Sequence, residues 1–446
     1  MVSSSLGLKE NTVARDLTVN QEPPSSLNDN AHSLARLGVL QLQPGVQHYA
    51  WGAMDYIPSL IGVENPEQKP FAELWMGAHP DLPSTVTIDG VQTPLSDLIQ
   101  HSPEKMLGKP VADRFGALPY LFKVLSAGDP LSIQVHPAKK QAEVGFAREN
   151  EAGVPLSAPH RNYKDDNHKP EILVASTDFY ALRGFRPLDE IGRQLRDVEE
   201  LQTLASGYDT TPAGLKSLYE QVMTWSQEGV DQVLRPLIAR LETQNGETPF
   251  TPNDREYWLL EAHSVFSRDG HFDRGLLSIF LLNLVHLRPG EAVYLPGGVL
   301  HAYLRGSGME LMANSNNVLR GGLTPKHVDV PELLDNVVFE GGPAEVIRPT
   351  SLEGGIETAY KTPAAEFELK QVCLDVGQTY RSGTDHSADL VIRTDADVAS
   401  EVAVRAEDTD SPLKIRRGEV FFAPAGVDYA IEASGPATLY RATVPT

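Results

Sequence analysis

Two stretches of this chain lie over one another without a gap: LRPGEAVYLPGGVLHAYL (287–304) and IRRGEVFFAPAGVDYAIE (415–432). Gly290-Glu291 falls on Gly418-Glu419, Pro296 on Pro424, Gly298 on Gly426 and Val299 on Val427. Each copy reads as a Gly-Glu turn, a short apolar strand, a Pro-x-Gly turn and another strand. A unit of that kind used twice suits neighbouring strands of a compact β-barrel repeated in tandem, although such turns also recur by chance in β proteins. The copies differ at one informative place: His301 in the first faces Tyr429 in the second. If one barrel holds a metal, it is the first.

The rest of the chain frames the repeat. Residues 1–38 contain QEPPSSLNDN and no apolar signal region, and are expected to form a disordered tail. VLQLQPG, STVTIDG, LSIQVHP and EILVAS then carry the strand signature of β-branched runs bounded by Gly, Pro or Asp. From 187 to 287 the apolar residues recur at helical spacing, as in IGRQLRDVEELQTLA and VDQVLRPLIARLE. The run Leu276–Leu287, broken by Asn283 and His286, is too short to span a bilayer and reads as a buried helix. Strands return to the end with ADLVIRT, EVAVRAE, EVFFAPAG and TLYRATV. The expectation is a mainly β fold with a helical insertion. Its parts are 39–186 with 288–345, the insertion 187–287, and a second β unit at 346–446.

Charge narrows the ligands. The 446 residues carry a formal net charge of −22, which disfavours nucleic acid and anionic membranes. A phosphorylated substrate would need a local cluster of Lys and Arg. The single cysteine, Cys373, cannot make an intrachain bridge and points to a reducing compartment. A soluble cytoplasmic protein is expected, a monomer, acting on a small molecule.

Three segments carry chemistry. In LSIQVHP, strand alternation puts Ser132, Gln134 and His136 on one face and Ile133 and Val135 on the other. In NHKPEI, Glu171 opens an apolar strand, where an unpaired carboxylate would be costly without a cation. His301 sits in the apolar context VLHAYL. Each has a bland alternative: a solvated face, an exposed first-strand Glu, a satisfied core histidine. Together Gln134, His136, Glu171 and His301 make a sulfur-free donor set compatible with zinc, manganese, iron or cobalt. Downstream, the Asn-rich stretch from Glu310 to Lys326 adds Arg320 and Lys326, which with Lys169 offer positive charge for an anion.

The segments QHYAWG, PFAELWMGAHP, LPYLFKVLSAGDPLSIQVHP, NHKPEI, ALRGF, YLPGGVLHAYL and ANSNNVLRGGLTPKH resemble type I mannose-6-phosphate isomerases, in the family's order from about Val39 to Glu340. The resemblance implies tandem cupin-type barrels, one zinc per chain, and interconversion of D-mannose 6-phosphate and D-fructose 6-phosphate through a cis-enediolate. Such a step would feed mannose catabolism or GDP-mannose synthesis. It assigns the zinc ligands to Gln134, His136, Glu171 and His301, and active-site roles to Arg320, Lys169, Lys326 and Glu310. His168 and Lys169 become candidates for ring opening, Glu310 for the base, and Lys326 and Ser132 for the phosphate. One departure matters: the family reads Ser-Asp-Asn where this chain has Ser315-Asn316-Asn317, and a neutral amide is no base. Gly321, where Ala is usual, is a lesser change. The competing readings are a non-catalytic sugar-phosphate binder and another metal-dependent cupin enzyme, such as an iron dioxygenase.

Overall fold

The computed structural model describes residues 38–88, 90–395, 400–406 and 411–445, so the tail expected over 1–38 lies, but for its last residue, outside them. Two large antiparallel sheets carry the architecture. The first is built on the strand His301–Ala313, which pairs along its length with Tyr120–Ala127, Glu171–Ala175 and Phe179–Phe185. Glu73–Met76 and Gly45–Gln47 extend it past Tyr120–Ala127, and Leu282–Leu287 lies beyond Phe179–Phe185. The second, of seven strands, is C-terminal, and Leu40–Leu42 closes one edge of it by pairing with Val420–Phe422. A four-stranded sheet faces it, and residues such as Val391, Phe421, Val404 and Ile431 fill the core between them.

Both copies of the repeat form a strand, a turn and a strand: Ala292–Leu295 then His301–Ala313, and Val420–Ala423 then Tyr429–Ala433. The turn glycines Gly298 and Gly426 sit at φ +84 and +70, a region that an L side chain rarely adopts. The two strands of a copy are not hydrogen-bonded neighbours, contrary to the expectation. In the first copy both pair with Glu171–Ala175; in the second they belong to different sheets. In the second copy the turn therefore carries the chain from one sheet to the other, and in the first it carries it across Glu171–Ala175.

Two further expectations need correction. Helix and strand occupy similar shares of the chain, so it is not mainly β, and among the described residues no sheet closes into a barrel. The excess helix comes partly from short pieces outside the insertion, such as Leu95–His101, Lys109–Phe115 and Lys139–Glu151, whose apolar periodicity is too brief to read. The run Leu276–Leu287 also divides. Gly275–Leu281 is a fully buried helix, but Leu282–Leu287 is a strand against Phe179–Phe185. There Asn283 donates to four carbonyls, those of Arg183, Gly184, Phe185 and Gly342, and His286 stacks on Tyr180. Those polar contacts exist only if the chain is extended.

The helices between Leu188 and Leu281 share their core with the sheet. Leu215, Tyr219, Leu234 and Leu276 pack in one cluster with Ile133, Val135, Leu182 and Ala302. The helical segment therefore buttresses the back of the strands that carry His136 and His301. Among the described residues no helix is long and apolar enough to cross a membrane.

Candidate metal centre and active site

Register assembles the site. The two-residue strand Gln134–Val135 is wedged between His301 and Arg320, each the register partner of Gln134, so these three side chains share a face. Glu171 pairs across to Leu295 on one side and Met312 on the other. These segments, distant in sequence, converge because the long strand pairs with Gln134 and with Glu171–Ala175, and Leu319–Arg320 joins them through Gln134–Val135.

The two histidines are held alike. His136 Nδ1 bonds the Asn317 carbonyl at 2.7 Å and His301 Nδ1 the Val299 carbonyl at 2.9 Å, so each Nδ1 is the donor and each Nε2 carries a lone pair. Both Nε2 atoms are buried with no hydrogen-bond partner. They face the Glu171 carboxylate, at 3.5 Å to Oε1 from His136 and 3.6 Å to Oε2 from His301. The donor atoms of His136, Glu171 and His301 lie within 4.8 Å of one another. Two orphaned imidazole lone pairs around a buried carboxylate fit a divalent cation, and among the described residues no donor reaches either Nε2. Burial, followed by Lys169, lowers the pKa of His136; burial and His136 bring His301 to about 4. Burial works against the Glu171 carboxylate, but Lys169, at 3.1 Å from Oε1, and His136 hold its pKa well below the usual range. All three are therefore in metal-binding protonation states at neutral pH.

A second buried array stands beside the first. Lys123 Nζ lies 3.2 Å from Glu73 Oε1 and 3.1 Å from Glu310 Oε2. Trp75 Nε1 donates to the other Glu73 oxygen and Tyr303 OH to the other Glu310 oxygen. Burial alone would neutralise Lys123, but Glu73 and Glu310 hold its pKa above the ordinary lysine value. Burial raises Glu310, and Lys123 opposes it. Sequence reasoning passed over Lys123, Glu73 and Tyr303. The signal was a lysine in the otherwise apolar strand YLFKVLSA, which is buried along its whole length.

The remaining candidates are dispersed around this centre. Arg320 is half-buried, and among the described residues no carboxylate pairs with it. Ser132 lies on a segment tied by backbone bonds to Tyr303, Gly321 and Gly322. Lys326 is exposed, on a loop that Asp273 anchors through the Leu323 and Thr324 amides. His168 points elsewhere: its Nε2 is 2.7 Å from Glu366 Oε1, and it lines a separate cavity of about 660 Å³ with Pro170, Tyr294 and Pro363. Alternation explains it, since Lys169 and Glu171 share the opposite face.

The loop 315–317 is built around Asp165. Its carboxylate accepts from the Ser315 hydroxyl, the Asn316 amide and Asn317 Nδ2. Asn317, fully buried, ties Lys164, Asp165 and Asn167 together through its side chain while its carbonyl holds His136.

A family model for the catalytic domain of type I phosphomannose isomerase matches residues 39–188. The mannose-6-phosphate isomerase of Salmonella typhimurium is 40% identical over 399 residues, which cover 89% of this chain and 97% of that one. The human protein of the same name is 33% identical over 428 residues, covering 90% and 97%. Among solved structures, the Salmonella typhimurium enzyme bound to fructose 6-phosphate and zinc superposes with a TM-score of 0.81 at 37% identity. That match covers 92% of this chain and all of the other.

Proposed function

This chain belongs to the type I phosphomannose isomerase family, and from that premise we infer how its residues divide the work. It is a zinc-dependent isomerase of D-mannose 6-phosphate and D-fructose 6-phosphate. The observation that carries the reading is the pair of orphaned Nε2 atoms around Glu171, set beside a buried carboxylate of raised pKa.

In this reading Gln134, His136, Glu171 and His301 hold the zinc. When bound, it supplies Lewis-acid stabilisation of negative charge at the sugar's O1 and O2. Glu310 takes the C2 proton and returns it at C1, through a cis-enediolate. Its raised pKa improves it as a base near neutrality, and Tyr303 and Lys123 fix its two oxygens. Lys169 is the better donor for ring opening, because it lies against the metal donors, 3.1 Å from Glu171, whereas His168 faces Glu366 in another cavity. Arg320, which no carboxylate among the described residues pairs, takes the enediolate or the phosphate, and Ser132 and Lys326 help bind the phosphate.

Family membership also favours cupin-type folds for the two strand–turn–strand units, with 39–186 and 288–345 catalytic, 187–287 an insertion, and 346–446 a second copy. The lone cysteine and the reaction fit a cytoplasmic enzyme.

The test is fructose 6-phosphate formation from mannose 6-phosphate by the protein as purified, after chelation, and after zinc is restored. Activity lost and then recovered is the expected result. Zinc-loaded protein that binds mannose 6-phosphate without turnover would refute the isomerase reading and leave a binding protein.

A further inference from the structure

The loop that begins at Arg320 and ends at Lys326 is held in a conformation its own sequence disfavours. Leu323 is fully buried yet sits at φ +51, in the left-handed region that an L side chain rarely adopts. One carboxylate holds it there. Asp273 Oδ1 accepts the Leu323 amide at 2.7 Å, and Oδ2 accepts the Thr324 amide at 3.2 Å. Thr324 Oγ1 in turn accepts the Lys326 amide at 3.1 Å, so a chain of bonds runs from Asp273 to the backbone of Lys326. At the other end, the Ile133 carbonyl accepts the Gly321 amide at 2.7 Å and the Ile133 amide donates to the Gly322 carbonyl at 3.0 Å. Gly321 adjoins Arg320, and Ile133 lies between Ser132 and Gln134.

The seat for this loop comes from the helical insertion. Asp273 leads into the buried helix Gly275–Leu281, and Tyr219 comes from the helix Pro212–Thr224. Backbone meets backbone there: a Cβ on Gly275 would stand 2.5 Å from the Leu323 nitrogen, and one on Gly322 would stand 2.5 Å from the Gly275 Cα. A Cβ on Gly321 would stand 2.7 Å from the Tyr219 hydroxyl. Glycine on both sides lets the loop close onto the insertion, and Asp273 supplies the side-chain bonds across that contact. We propose that Asp273 is a positioning residue for substrate binding. By fixing Leu323 and Thr324 it sets Arg320 and Lys326 in place for the phosphate before the substrate arrives, so less ordering is left for the binding step. The insertion thereby serves the substrate as well as the core. The proposal rests on the reading that puts Arg320 and Lys326 on the phosphate.

The experiment compares zinc-loaded wild type with Asp273→Ala, Asp273→Asn and Thr324→Ala, by steady-state kinetics and by calorimetric titration with inorganic phosphate. Asp273→Ala should raise KM for mannose 6-phosphate and the phosphate dissociation constant together, by about tenfold or more, with kcat and zinc content within about twofold of wild type. Asp273→Asn keeps an oxygen for the Leu323 amide and should fall between the two. Thr324→Ala breaks only the bond to the Lys326 amide and should move both constants the same way by about two- to fivefold. Thr324 is partly exposed, so this variant gives a reading even if Asp273→Ala does not fold. Unchanged KM and phosphate affinity in Asp273→Ala, or in both milder variants, would overturn the proposal. So would a fall in kcat with both constants unchanged, which would put Arg320 on the enediolate, or a loss of zinc in step with the loss of affinity. Wild-type turnover tests the isomerase reading separately, and the phosphate titration reads the loop whether or not the protein turns over.

Discussion

Asn317→Ala should weaken zinc binding without touching a ligand. The side chain accepts the Lys164 and Asp165 amides at 2.7 and 3.2 Å and donates to the Asp165 and Asn167 carbonyls at 2.8 Å each. Truncation strands two donors and two acceptors, each worth about 1–3 kcal/mol if left dry. Those backbone groups belong to partly exposed residues and will rehydrate in part, so a loss of about 2–4 kcal/mol in apo stability is expected. The metal effect is separate. The Asn317 carbonyl survives the substitution, but the loop that aims it at His136 Nδ1 does not stay fixed, and a misaimed acceptor frees the ring to turn. Loss of such a partner costs about 10–100-fold in metal affinity, or about 1.4–2.8 kcal/mol. Competition against a chromophoric chelator gives the zinc dissociation constant, and melting of the chelated protein gives the apo term. An unchanged zinc constant together with a lowered apo melting temperature would refute the reasoning: the loop would then be structural and the ring aimed by packing alone.

Two other outcomes follow from the same geometry. Glu310→Gln should cut turnover by about 10²–10⁴-fold while zinc content stays normal, since Glu310 is paired to Lys123 and Tyr303 and not to a metal ligand; near-normal turnover would remove it as the base. The chelated protein should also lose stability as pH falls. Burial holds His301 at about 4 against 6.5 for a free imidazole, and His136 is lowered too. Between those values the unfolded chain binds the protons that the folded chain refuses, so stability is complete above about pH 6.5 and declines towards pH 4, by about 3 kcal/mol for His301 alone. Urea midpoints of the chelated protein that are flat from pH 7.5 to pH 5 would contradict this.

Much of the centre was legible because its donors sit in local contexts that make little sense otherwise. A polar face on SIQVH, a carboxylate at the mouth of EILVA and a histidine in VLHAYL each ask for a partner. Their three-way approach to within 4.8 Å depends on register with one long strand, which no local pattern encodes. Lys123 was missed for a related reason. Its strand reads as core, and a buried lysine is sensible only once Glu73 and Glu310 are known to flank it from neighbouring strands. His168 shows the converse. It adjoins Lys169 in sequence, but the extended backbone sends the two side chains to opposite faces. The helix expected through Leu287 failed because apolar runs of this length do not distinguish a buried helix from a buried strand, and the four carbonyls awaiting Asn283 decided it.

The repeat explains why, among the described residues, there is one such centre and not two. Glu171 pairs across to Leu295, and at the equivalent position of the second copy Asp389 pairs across to Ala423, so both copies place a buried carboxylate at the same point of the same unit. What surrounds it differs. In the first copy the carboxylate meets two imidazole lone pairs that no donor among the described residues satisfies, which suits a cation from outside. In the second, Tyr429 stands for His301 and donates its hydroxyl to Asp389 Oδ2 at 2.9 Å. Arg441 Nε donates to the same oxygen at 2.8 Å, and its Nη1 reaches Glu357 at 3.0 Å. Arg441 is 4% exposed and puts a second internal donor on the carboxylate, where the first copy has Lys169 on one oxygen and two imidazole lone pairs left over. A lone-pair donor changed to an O–H donor, together with a fixed internal cation, converts a metal pocket into a self-neutralised core. The second unit can therefore keep the repeat's fold without its ion, and it lends Leu40–Leu42 and Tyr120 a rigid partner in Val420–Phe422 and the Ala442 carbonyl. Tyr120 opens the strand that carries Lys123, so the metal-free copy braces the strand on which the second buried array of the site is built.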